Sequence, residues 1–140
     1  MDLTSGVAAF EAKQFTHAMR LLSPLAEAGE AEAQFRVAVM CQNGLGVVVN
    51  AGRAVGLMRA AAENGHALAQ HGMGVMLLFG ECAEKNEPEA ANWFRRAADQ
   101  GLVGSLSTLA MMYEQGLGVT QDLDLARRLY EEAGVPTEAR

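Results

Sequence analysis

Apolar and polar positions follow one another along this chain with the spacing of amphipathic helices. Phe15, Ala18, Leu21, Leu22, Leu25 and Ala26 keep the i, i+3, i+4 rhythm that places one apolar stripe on a helix. They predict a helix over Phe15–Ala28, with a kink at Pro24, which lacks a backbone donor. Residues 2–13 are Ala-rich and helix-compatible, and a short turn is expected near Lys13–Gln14. Beyond Gly29 the pattern returns on a fixed beat. Gly29, Gly65 and Gly101 stand 36 residues apart, and so do Gly44, Gly80 and Gly116, Met40, Met76 and Met112, and Ala54, Ala90 and Ala126. An interval of this size marks a stacked-repeat architecture.

Each beat reads as a helix hairpin. Helix A is expected over Glu30–Asn43, His66–Phe79 and Leu102–Gln115, ended by Gly44, Gly80 and Gly116. The residue just past a helix commonly takes a left-handed conformation that suits glycine. After a loop of about seven residues, Asn50, Asn86 and Asp122 stand in register as N-caps, since their side-chain oxygens can accept from free first-turn N–H groups. Asn86 with Glu89 has the spacing of a capping box, and Pro88 falls in the first turn, where a missing donor costs little. Helix B is expected over Ala51–Asn64, Glu87–Gln100 and Leu123–Ala133. Each B helix combines a bulky pair (Leu57–Met58, Trp93–Phe94, Leu129–Tyr130) with small residues that allow close approach. Gly134 and Pro136 stop the pattern and leave a short frayed tail over 135–140. No segment alternates with period two beyond Val47–Val49, which fall in a loop. The predicted fold is all-α, an α-α superhelix or solenoid of about four hairpins in a single domain: a divergent first hairpin over 2–29, then repeats at 30–65, 66–101 and 102–134. No hairpin of this kind buries its own apolar face, so its neighbour must cover it.

Composition changes this picture little. The 140 residues include 11 basic and 17 acidic side chains, a net charge of −6, which disfavours a nucleic-acid or anionic-membrane surface. No run approaches the roughly 18 apolar residues of a membrane span, and the N-terminus has no basic and apolar leader pattern, so a cytoplasmic location is expected. The two cysteines, Cys41 and Cys82, occupy unrelated repeat positions and do not make a disulfide framework. They read as a small buried hydrophobe and a loop substitution.

Spacing speaks against three kinds of chemistry. A metal site would need His17, His66, His71, Cys41 or Cys82 to converge, and His66 and His71 are five apart rather than the four that shares a helix face. A nucleophile would need a base beside Cys41 or Ser107; His71 is in register with Phe35 and Ser107 and reads as a polar groove residue. The Gly-Leu-Gly-Val segments lack the lysine of a phosphate loop and follow a helix rather than a strand. No catalytic residue, metal or cofactor is expected.

The repeat resembles the Sel1-like repeat, a relative of the tetratricopeptide repeat with a longer loop inside the hairpin. The resemblance rests on Ala33-Gln34-Phe35, Met40, Gly44-Leu45-Gly46-Val47, Ala54 and Ala60-Ala61-Ala62-Glu63-Asn64-Gly65, on Ala90 with Trp93 through Gly101, and on Leu109-Ala110, Tyr113, Gly116-Leu117-Gly118-Val119, Asp122 and Ala126. It covers roughly residues 15–134. One departure is Gly80-Glu81-Cys82-Ala83, where the family prefers Gly-x-Gly-Val, and some loss of the left-handed turn is expected there.

The resemblance implies a non-enzymatic, bacterial adaptor or scaffold that binds a protein or peptide on the concave face of its A helices. Transferring the tetratricopeptide pattern places Phe35, Val39, Gln42 and Asn43, then His71, Val75, Leu78 and Phe79, then Ser107, Met111, Glu114 and Gln115 along that face. Ala33, Val37, Ala38, Cys41, Met73, Gly74, Leu109 and Ala110 lie beside them as core. Contiguous apolar surface marks a binding site if it is exposed; the alternative is that the stripe packs into the interior. A second class of function is a self-associating module, a homodimer through Phe10 or Tyr130.

Overall fold

The computed structural model describes residues 2–136. It contains eight helices and, among the described residues, no strand. They are α1 (Leu3–Glu11), α2 (Phe15–Glu27), α3 (Ala31–Asn43), α4 (Ala51–Glu63), α5 (Ala67–Phe79), α6 (Glu87–Asp99), α7 (Val103–Gln115) and α8 (Leu123–Glu132). The odd-numbered helices are the A helices and the even-numbered ones the B helices of four hairpins. Expected and observed ends agree to within one or two residues, because the stop and start signals are local. Gly44 and Gly116 take the left-handed conformation at the ends of α3 and α7. Asn50, Asn86 and Asp122 accept through Oδ1 from the N–H groups of Arg53, Glu89 and Leu125 at 3.0–3.1 Å. α2 runs on through Pro24, and Ala28 N–H donates to the Pro24 carbonyl at 3.0 Å. The tail expected over 135–140 lies outside the described residues from 137 onward.

The chain divides into two compact units, Met1–Ala69 and Gln70–Arg140, a division within the first turn of α5. In the first unit α1 packs on α2, α2 on α3, and α3 on both α4 and α1. Its core is Ala18, Leu22, Ala33, Val37, Ala38, Met40, Cys41, Ala54 and Met58. Lys13, at φ 61°, closes the short α1–α2 turn, and Gln14 N–H donates to the Ala9 carbonyl. In the second unit α6 packs on α7 and α7 on α8. There Gly74 makes room for its hairpin partner: a β-carbon at Gly74 would stand 2.7 Å from the buried Phe94 ring. Ala38 and Ala110 are in register with Gly74, as Met58 and Tyr130 are with Phe94, so the smallest residue of the three meets the bulkiest fully buried side chain.

The three long loops share one geometry. Leu45, Glu81 and Leu117 N–H groups donate to Met40, Met76 and Met112 carbonyls at 2.8–2.9 Å. Asn50, Asn86 and Asp122 N–H groups donate to Cys41, Leu77 and Tyr113 carbonyls at 2.8–3.0 Å. The expected loss of the left-handed turn at Gly80-Glu81-Cys82-Ala83 does not occur. Cys82 takes φ 62°, matching Gly46 at 69° and Gly118 at 68°. Two backbone hydrogen bonds in each loop hold the turn whatever side chain stands at this position.

Candidate functional site

In the first unit, α3 presents Phe35, Val39 and Gln42 half-buried and Asn43 exposed. The Asn43 amide donates to the Val39 carbonyl at 2.9 Å. Phe35 stacks on His66, with ring centroids 4.9 Å apart. His66 caps α5: Ala69 N–H donates to Nδ1 at 3.2 Å, which requires a lone pair there. The Nε2 proton then faces Glu32 Oε1 at 3.0 Å, while Arg36 Nε donates to Glu32 Oε2 at 2.7 Å. Burial pushes the Glu32 carboxyl up, but the hydrogen bonds from His66 and Arg36, with the Arg36 charge, outweigh it, and the group ends below its ordinary range. Arg36 also lies over the Phe10 ring at 4.8 Å.

This cluster borders a groove of 350 Å³ between α1 and α3. Leu3, Val7 and Ala8 supply apolar wall, and Glu11, Glu32 and Arg36 the charge. The repeat register does not point to Leu3 or Val7, because a shorter turn follows α1 and puts it out of step with the later A helices; Arg36 is in register, but its counterparts Gly72 and Thr108 carry no charge to mark it. The available signal was the i, i+4 spacing of Leu3 with Val7 and of Glu32 with Arg36.

In the second unit, α5 carries Val75 half-buried and Phe79 65% exposed. On α7, Ser107, Met111 and Glu114 are half-buried and Gln115 is exposed. Leu78 is only 5% exposed and belongs to the interior, a correction to its place in the stripe. It lies about 100° around the helix from Phe79, on the side of Leu77, which is buried as well. Glu114 Oε1 accepts from the Tyr130 hydroxyl at 3.1 Å. His71 meets Ser105 rather than Ser107, with Nδ1 2.8 Å from Oγ, and its ring stands edge-on to Phe94 at 5.2 Å. Burial lowers the His71 pKa, favouring the neutral ring. Ser105 is 0% exposed, so its hydroxyl cannot meet a substrate.

Cys41 is buried and Cys82 half-buried; both are free thiols, and burial pushes both pKa values up, away from nucleophilic thiolates. Among the described residues no group of three or more His, Cys, Asp or Glu side chains is arranged to hold a metal ion. No helix among them is long and apolar enough to cross a membrane. The residues named for self-association are engaged within the chain: Phe10 packs edge-on to Phe15 at 5.6 Å, and Tyr130 is held by Glu114.

The profile of the Sel1 repeat matches residues 31–66, 67–102 and 106–134. No curated protein matches the chain. Among solved structures, the chain is similar to a Sel1 repeat protein from Oxalobacter formigenes, at 28% identity and TM-score 0.90 over 95% of this chain and 55% of that one. It is also similar to a protective antigen of uropathogenic Escherichia coli strains displaying an SLR fold, at 33% identity and TM-score 0.83 over 86% of this chain and 26% of that one. The chain thus spans about half the length of the first and a quarter of the second.

Proposed function

We propose that this chain, which belongs to the Sel1 repeat family, is a non-enzymatic adaptor whose A-helix faces hold a segment of another protein. Sel1 repeats generally mediate protein–protein interaction and are generally non-catalytic. The observation that carries the finer reading is Phe79. It is 65% exposed at the end of α5, where the in-register residues of the neighbouring repeats are the amides Asn43 and Gln115. Val75 lies one turn before it, half-buried, so α5 offers two apolar side chains on one edge. Met111, in register with Val75, continues the character on α7. Burying a phenylalanine is worth roughly 1.5–3 kcal/mol, and large aromatic anchors dominate protein interfaces.

Exposure alone does not define the face, and a matched control separates the two. Leu123, at the start of α8, is 62% exposed. Affinity purification from the native cell, quantified by mass spectrometry, is expected to lose its specific partners with Phe79→Asp and keep them with Leu123→Asp. Both variants are expected to retain the wild-type helical signal. Equal retention, or loss only with Leu123→Asp, would place the partner elsewhere.

A further inference from the structure

We propose a second docking site in the second unit: a side-chain pocket among α6, α7 and α8 that takes an aromatic anchor accompanied by a positive charge on a helical segment of a partner. It goes beyond the A-helix reading, because its α7 residues are not those of the stripe. The pocket encloses 260 Å³. Sites that hold a whole small molecule run to roughly 300–1,000 Å³, so a single large side chain is what fits here. Leu106 and Leu109 are buried in its wall, Leu125 and Leu129 are half-buried, and Asp99 and Glu132 are exposed at its rim. Arg95 also lines it, with its guanidinium turned to the Tyr113 hydroxyl and to Asn92 Oδ1.

The preceding repeat shows what the pocket lacks. Leu129 stands 36 residues after Trp93, Leu125 after Glu89 and Glu132 after Arg96. Trp93 is 6% exposed; its indole N–H donates to Glu89 Oε2 at 3.1 Å, and Arg96 covers its ring at 4.6 Å. The third repeat thus carries an indole and a cation at these register positions. The fourth repeat has a smaller leucine in place of the indole and a carboxylate in place of the cation. A guest helix with Trp and Arg three residues apart restores both, the ring against the leucines and the guanidinium beside Glu132 and Asp99. The charge at the rim selects that guest over an acidic one.

Calorimetric titration with a short helix-forming peptide carrying this Trp and Arg tests the proposal. Binding is expected, weakened roughly fivefold by Asp99→Asn with Glu132→Gln and more at low salt than at high. It is expected to disappear in the triple variant Leu125→Glu, Leu129→Trp, Glu132→Arg, which transplants the set from the third repeat, and to survive Phe79→Asp. The exposed Asp99 and Glu132 keep the test informative if the triple variant fails to fold. Equal affinity for the same peptide with Glu in place of Arg would overturn the proposal, as would undetectable binding or binding that the folded triple variant leaves unchanged.

Discussion

At Cys82 the backbone takes a left-handed conformation that its two counterparts assign to glycine. Those glycines have a further reason: a β-carbon on Gly46 would lie 2.6 Å from the Phe15 carbonyl carbon, and one on Gly118 2.6 Å from the Glu87 carbonyl oxygen. A non-glycine residue in this conformation costs roughly 1–2 kcal/mol. Cys82→Gly relieves that cost, against a gain in unfolded-chain entropy of roughly 0.4–1 kcal/mol. It is expected to raise stability by about 0.5–1 kcal/mol, read as a higher denaturation midpoint at unchanged slope. An unchanged or lower midpoint would mean that the thiol makes contacts worth as much as the strain. Residue-level strain of this kind was not legible in the sequence. A cysteine in a glycine position suggests a lost turn, whereas the turn belongs to backbone hydrogen bonds that residue 82 does not make.

The helices themselves were legible, down to their caps, because glycine at an end and Asn or Asp at a start act through the adjacent turn alone. Meetings between helices were less so. His71 pairs with Ser105 and Glu32 with His66, each 34 residues on rather than 36. Register alone puts His71 opposite Ser107. Helical side chains lean toward the N-terminus of their own helix, and a stagger of two positions between successive A helices changes every expected partner. These joints make folding pH-dependent. Burial holds the folded His71 pKa below its ordinary value near 6.5, so the unfolded chain binds more protons as pH falls past that point. Stability is therefore full above about pH 6.5 and declines as pH falls toward the folded pKa. The depressed Glu32 carboxyl adds a further loss as pH drops below its ordinary range near 4.5. Urea midpoints between neutral pH and about pH 3 are expected to show both losses, the first absent in His71→Gln and the second in Glu32→Gln. A wild-type midpoint that does not move with pH would contradict the assignment.

For the whole chain, the 36-residue beat identified the stacked-repeat architecture, since small residues and glycines recurring in register have few other physical uses; the class of function came only with the resemblance to the Sel1-like repeat. How the A-helix stripe divides between interior and surface was only partly legible. Apolar character at Val75, Leu78 and Phe79 is the same in the sequence, and only the fold divides them into half-buried, interior and exposed. The α1–α3 groove escaped for a different reason, its α1 wall of Leu3, Val7 and Ala8 lying on a hairpin out of step with the beat. The chain carries −6 and two candidate faces in its second unit, one apolar on the A helices and one acidic-rimmed among α6, α7 and α8. The central claim concerns the first. A photo-reactive phenylalanine analogue placed in the living cell at position 79, and separately at position 123, tests it most directly. The account predicts a discrete crosslinked adduct to another protein from position 79 and none of comparable yield from position 123. Adducts only from position 123, or to a second copy of this chain from position 79, would contradict it.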